Sequence, residues 1–373
     1  MIIYFLLLSV SLIFWASTLN IHYNNVLFNQ VHRFNKITFL IVSFLILVVL
    51  DVNRGITVGI DYQMYYSFYE SRQYGEFFDF FINRFYDLAI FLGEFRVITF
   101  CIVVLYLGFI FIAFYKLSLN IYTAVLLFYL TFNYFFAFNI MRQTAAMGIV
   151  VFSVVYVIKG GKKSFFKFLF LIILASLFHR SAILCLLFWL FRYMKINTFI
   201  MVLTSFFIPI SYFSNYLKSN IQWILLKMPF FTEKYSDNLG YFFVQNKEKG
   251  IIQFLPILFQ ILILLMYIIV YKNEKKSLKT KIFINYYYSY LLLYGFSGIE
   301  AIDRFQLYLS ASSILFFDNY IFYLWKKKIK VLKHKQGIYI LIIFAMILFW
   351  SGYLVLRIIQ NTAGITPYII WKN

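Results

Sequence analysis

The chain has 373 residues, is 63% hydrophobic and 23% aromatic, contains four prolines, and carries a net charge of +20. So large an apolar fraction excludes a water-soluble domain. The positive charge does not point to nucleic acid, because the basic residues sit in loops between apolar runs, where they set membrane topology.

Apolar runs of about 20 residues recur along the chain, which is the length needed to cross a bilayer. They do not alternate as barrel strands do. Lipid leaves the backbone to satisfy its own polar groups, so the spans are helices. About twelve are predicted: 2–19, 37–52, 96–115, 121–138, 141–158, 164–178, 181–194, 199–213, 251–271, 282–299, 304–325 and 338–357. The expected fold is an all-α polytopic membrane protein of about 12 transmembrane helices (range roughly 10–14), for which a GT-C-like architecture is one arrangement. Residues 1–373 form a single integral domain in this reading. The first run begins at residue 2 without a basic n-region or a small-x-small cleavage site, so it reads as a retained helix.

Alternate loops differ in charge. One set holds Lys159, Lys162 and Lys163, the lysines of 272–281 and those of 326–335, with Glu274 as its one acid. The positive-inside rule makes this set cytoplasmic and turns both termini outward. The outer set holds nearly all carboxylates and the arginines Arg54, Arg72, Arg84, Arg96, Arg142, Arg180, Arg304 and Arg357. Topogenesis does not separate Lys from Arg, whereas anion binding does, because a guanidinium fork grips phosphate in bidentate fashion. Asp51 with Arg54 and Glu300 with Arg304 have the spacing of helical ion pairs.

Two outer segments are long, 53–95 and 214–250. In the first, Tyr62, Tyr65, Tyr66 and Tyr69 share one helix face, and Phe77 to Phe91 alternate with charges as in amphipathic helices at an interface. Asn139, Arg142, Gln143 and Ala146 share a face where the fifth span begins, so Arg142 stands in its first turn. A guanidinium there is costly unless it is paired, solvated or holding an anion. The sixth and seventh spans are short, about 14 residues or roughly 21 Å as α-helix. The turn between them, Phe178-His179-Arg180-Ser181, is therefore expected below the outer surface, on a polar pocket. Asp303 and Arg304 open the eleventh span.

Other features are bland. Cys101 and Cys185 lie within apolar runs and read as packing thiols. Asp318, deep in the eleventh span, needs a hydrogen-bonding partner. No phosphate-cradling glycine loop, metal-ligand spacing or G-x-S-x-G motif occurs, and neither a metal nor a cofactor is expected.

The stretches Gly59-Ile60-Asp61-Tyr62 with Tyr65, Phe138-Asn139-Ile140-Met141-Arg142-Gln143, Phe178-His179-Arg180-Ser181-Ala182 and Asp303-Arg304-Phe305 with Tyr308 resemble those of the EpsG family, within the wider Wzy-type O-antigen and capsule polymerases. The resemblance implies joining of undecaprenyl-pyrophosphate-linked repeat units on the outer face of the cytoplasmic membrane. The donor and acceptor are both lipid-linked, and a flippase and a chain-length regulator of the same pathway are expected partners. Arg142 and Arg304, with Arg180, would stabilise the leaving pyrophosphate. His179 and Asp61 are candidate bases, which the sequence does not rank. Gln143, Asn139 and Asp303 would line the site, and Tyr62 and Tyr65 would stack on sugars. Alternative readings are a transporter of the same lipids, or a glycosyltransferase or acyltransferase that modifies surface glycans.

Overall fold

The computed structural model describes residues 2–18, 26–75, 78–227, 251–270, 276–330 and 333–371. Glu76, Phe77 and Glu274, the loop 271–275, and 228–250 with Glu233, Asp237 and Glu248 lie outside the described residues. Helices dominate: α1 Ile2–Thr18, α2 Val26–Val52, α3 Tyr62–Ser71, α4 Phe80–Leu92, α5 Arg96–Leu117, α6 Ile121–Leu130, α7 Met141–Lys159, α8 Lys162–Ser176, α9 Thr198–Phe213, α10 Asn215–Leu226, α11 Ile251–Val270, α12 Leu278–Tyr294, α13 Glu300–Leu309, α14 Ala311–Lys330 and α15 Lys333–Ile359. A 3-10 turn spans Tyr134–Phe138 and a 3-10 helix spans Arg180–Arg192. Among the described residues there is no strand, only an isolated bridge between Arg54 and Ile370.

Among the described residues, five helices are long and apolar enough to cross a membrane: Asn35–Val52, Arg96–Leu117, Met141–Lys159, Gln253–Val270 and Gly337–Ile359. The pair Thr198–Phe213 and Asn215–Leu225, bent by 88°, makes a sixth if it is one broken span. The protein is thus an all-helical, polytopic membrane protein. The segment 53–95 holds α3 and α4, as its amphipathic pattern predicts.

Two predicted spans are interrupted. The stretch 121–138 leaves the α-helix at Leu130, and Phe132 takes a positive φ of 68°. Thr131 and Asn133 drive the break. The Thr131 hydroxyl donates back to the Leu127 carbonyl at 2.7 Å, and the Asn133 amide donates to the Thr131 hydroxyl at 2.8 Å. Short polar side chains that satisfy local groups in this way compete with helix propagation. The eleventh span divides at Ser310 into α13 and α14.

The short seventh segment is not an α-helix. In Arg180–Arg192 the buried side chains are Ala182, Cys185, Phe188 and Phe191, one every third residue. Three residues per turn put them on a single edge, and a rise of about 2.0 Å stretches 13 residues to about 26 Å. The shortness of this segment therefore does not by itself sink the preceding turn.

The described residues group into two compact units, Met1–Leu186 with Phe317–Asn373, and Leu187–Phe316. In the first, α7 packs on α5 and α8, and α2 and α4 pack on α5. The α5–α7 contact is close because Gly148 faces the Tyr106 backbone, where an added Cβ would lie 2.8 Å from the carbonyl oxygen. Small residues such as Ala145, Ala146 and Gly148 allow this approach in an apolar medium. Asp318 meets its need for partners here: its carboxylate accepts from the backbone N–H of Leu119 at 2.6 Å and of Asn120 at 3.0 Å. Both cysteines are free thiols, Cys185 buried and Cys101 half-buried. In the second unit α12 packs on α9, α11 and α13.

Candidate active site

The site is built where irregular backbone gathers in the first unit. Asn139 ends the 3-10 turn before α7, and its side chain bonds in two directions. Its Oδ1 accepts from the N–H of Ile60 at 2.5 Å and of Asp61 at 3.3 Å. Its Nδ2 donates to the Ala363 carbonyl at 3.0 Å. Gly59 is required beside it, because φ is +105° and a Cβ would collide with the Phe138 carbonyl oxygen.

The chain after α15 closes this arrangement. Gly59 N–H donates to the Gly364 carbonyl at 2.8 Å, Gly55 N–H to Ile369 at 2.7 Å, and Trp371 N–H to Asn53 at 2.8 Å. Beneath the loop lies Arg54, fully buried, with Asp51 at 3.1 Å. Its guanidinium carbon sits 3.9 Å from the Tyr62 ring centroid and 4.5 Å from that of Phe138. Tyr62 is itself buried, its hydroxyl 2.8 Å from Thr99 Oγ1. The predicted Asp51–Arg54 pair is present, and it holds the loop that carries Asp61.

Asp61 occupies the N-cap position of α3, and its carbonyl accepts from Tyr65 N–H at 3.2 Å. One turn on, Tyr65 points its hydroxyl at Arg142. Burial pushes that hydroxyl's pKa up, and the Arg142 charge and hydrogen bond pull it back. Arg142 is half-buried in the first turn of α7, with its guanidinium carbon 4.9 Å from the Phe78 ring centroid. Phe78 in turn stacks on Tyr65 at 5.8 Å and on Tyr86 at 5.1 Å. Gln143 is buried beside it in α7.

The next residue, Asp79, joins this cluster to the turn after α8. Its carboxylate lies 3.2 Å from Arg180 Nε and 3.7 Å from His179 Nδ1. Phe81 reinforces the link, stacking on Phe178 at 4.7 Å and donating its N–H to the Leu177 carbonyl at 3.3 Å. His179 is mostly buried, whereas Arg180 is 72% exposed. Arg142 and the His179–Arg180 pair therefore meet successive residues of one short segment. Asp61, Tyr65, Asn139, Arg142, Gln143, His179 and Arg180 are assembled around α3, α4 and the adjoining ends of α7 and α8.

Asp303 and Arg304 belong to the second unit. Arg304 Nε is 2.8 Å from Glu300, as its i,i+4 spacing predicts. Asp303 accepts from the Ser297 hydroxyl at 2.6 Å and from Gly298 N–H at 3.0 Å. Buried Lys218 lies close by, in line with the open side of Gly298.

A family model, the EpsG family, matches residues 37–370, nearly the whole chain. The chain belongs to the EpsG family, a Wzy-type polymerase-like family. No curated protein and no solved structure matches it. The matched range takes in each motif singled out in the sequence, from Gly59 to Tyr308.

Sequence reasoning missed three parts of this site. Asp79 looked like one acid among several in an amphipathic segment. Phe78 looked like interfacial packing. The segment 361–371 carried no motif at all. Only the proximity of Phe78-Asp79 to an expected amphipathic helix start could have singled the first two out.

Among the described residues no group of three or more His, Cys, Asp or Glu side chains could hold a metal ion.

Proposed function

We propose that this EpsG-family protein polymerises lipid-linked oligosaccharides at the outer face of the cytoplasmic membrane. The chain spans about twelve times, counting the shorter and broken helices, with the Lys-rich loops inside. The growing glycan leaves one undecaprenyl pyrophosphate and is attached to a hydroxyl of a second lipid-linked unit. The observation that carries this reading is the convergence of Arg142 with the His179–Arg180 pair on Phe78-Asp79, in a chain whose family is polymerase-like.

In the proposed reaction the acceptor oxygen forms a bond to the donor's anomeric carbon as the bond from that carbon to pyrophosphate oxygen breaks. The bonding pair leaves with the pyrophosphate. Arg142, standing at the uncapped N-terminus of α7, stabilises the growing anion together with the first-turn amides. Arg180, mostly exposed and tethered by Asp79, engages a second phosphate oxygen. The acceptor proton passes to His179. Asp79 facing Nδ1 favours the tautomer whose basic lone pair is on Nε2, and the contact tightens as substrate closes the site. Asp61 then orients the acceptor rather than serving as base, and Asn139 and Tyr62 position its loop. On the second unit Arg304 is a further cation suited to an anion, and Asp303 holds the Ser297–Gly298 turn beside it.

Purified protein mixed with undecaprenyl-pyrophosphate-linked repeat units, without nucleotide sugars, should yield dimers and longer glycans and release undecaprenyl pyrophosphate. His179→Ala should abolish this in protein of unchanged thermal stability. Absence of any glycan bond formation, with movement of the lipid-linked unit across proteoliposomes, would replace the polymerase by a transporter.

A further inference from the structure

The opposite end of α7 carries a feature that the proposed reaction does not use. α7 has 19 residues, so Arg142 and Lys159 stand about 25 Å apart along its axis. At the Lys159 end, Gly160 and Gly161 turn the chain at φ of 67° and 81°, and α8 starts with Lys162, Lys163 and then Lys167. A cavity of about 450 Å³ opens there, lined by Tyr156, Lys163, Phe166, Lys167, Phe170 and Leu171.

The cavity surface is almost wholly apolar, and the charge comes from the lysine ends around it. Lys163 and Lys167 are one helical turn apart and exposed, while Phe166 and Phe170, also one turn apart, are each 65% exposed. Lys159 and Lys167 both approach one ring, with Nζ 5.6 and 5.7 Å from the Tyr156 centroid. Two like charges are thus drawn to one aromatic ring, and Lys163 lines the same cavity. No carboxylate residue occurs between Glu94 and Glu233 in the sequence. Among the described residues, none of Lys159, Lys162, Lys163 and Lys167 forms an ion pair. The first-turn amides of α8 add to the positive field, because its N-cap is Gly161 and has no side chain to cap them.

We propose that this cavity is a binding site for an anionic diacyl phospholipid of the surrounding bilayer. The headgroup phosphate lies between Lys159, Lys163 and Lys167, and an acyl chain runs along Phe166, Phe170 and Leu171. Charge complementarity selects the anionic headgroup, and the exposed apolar stripe continuing from the lysines selects a lipid over a free anion. The inference is independent of the reaction at the Arg142 end.

The test uses the full chain, purified and exchanged into zwitterionic phosphatidylcholine. Phosphatidylglycerol or cardiolipin is titrated in, and bound lipid is counted by native mass spectrometry. Lys163→Gln/Lys167→Gln should bind anionic lipid about 25-fold more weakly, roughly fivefold per lysine. Both positions are exposed, and melting in phosphatidylcholine alone should match the wild type. Phe166→Ser/Phe170→Ser should also weaken retention while leaving the lysines in place. Equal retention by the lysine variant, equal retention of phosphatidylcholine, or displacement by glycerol phosphate or a polyprenyl phosphate would overturn the proposal.

Discussion

Arg54 and Arg142 lie within the same unit and both touch aromatic rings, yet their surroundings differ in kind. Arg54 is fully buried between Tyr62 and Phe138 and closed by Asp51. Arg142 is half-buried at the start of a helix, against Phe78 and the Tyr65 hydroxyl. A sealed guanidinium with a carboxylate holds a fold together, and a partly open one at a helix N-terminus can receive an anion. Burial thus separates the sealed Arg54 from the accessible Arg142, a distinction that residue type alone does not make.

The comparison breaks most sharply at Arg54. Arg54→Ala should leave Asp51 buried and uncompensated, at a cost of about 3–5 kcal/mol. Membrane abundance and melting temperature should both fall. Asp51→Leu/Arg54→Met should recover much of that loss, since the pair is replaced by apolar volume. Arg142→Ala should leave melting nearly unchanged and slow glycan joining by about 10²–10³-fold, the usual cost of losing one transition-state donor. Lys at position 142 should restore little, because it lacks the bidentate fork.

Asp79 sharpens the contrast between the two ends of the α4 segment. Asp79→Asn should reduce turnover by up to about 100-fold through misplacement of His179 and Arg180. It should also shift the acidic limb of the pH–rate profile, which a purely structural role would not do. Asn139→Ala, which removes bonds to Ile60, Asp61 and Ala363, should cost about 1–3 kcal/mol in stability and lower activity somewhat more than the loss of folded protein, because the Asp61 loop is released.

The smallest effect is expected at Glu94. Its hydrogen bonds from Arg96 hold the carboxyl below its ordinary value of 4.5. The contribution is therefore present above that value and is lost as pH falls through the lowered pKa. The pair is half-exposed and screened by solvent, so acid titration of melting temperature should differ only slightly between wild type and Glu94→Gln.

The apolar runs made the membrane class and most helices legible, because bilayer thickness and backbone hydrogen bonding leave so few alternatives. The ion pairs Asp51–Arg54 and Glu300–Arg304 were legible from spacing. The breaks at 131–133 and Ser310 were not, since hydropathy is indifferent to a side chain bonding its own backbone. Nor was the 3-10 helix, although the threefold period of Ala182, Cys185, Phe188 and Phe191 is visible once sought. The segment 361–371 contributes mainly backbone groups to the site, and sequence motifs do not record those. Asp79 required knowledge of which loop meets the His179 turn, a long-range fact.

The most direct test measures two quantities together in a strain lacking this protein: its abundance in the membrane and the length distribution of surface glycan, for wild type, Arg54→Ala and Arg142→Ala. The account predicts that Arg142→Ala is present at wild-type level and leaves only single repeat units, while Arg54→Ala loses abundance and glycan in step. A normal glycan ladder from Arg142→Ala, or its disappearance from the membrane, would contradict the division between the two arginines and the site built on it.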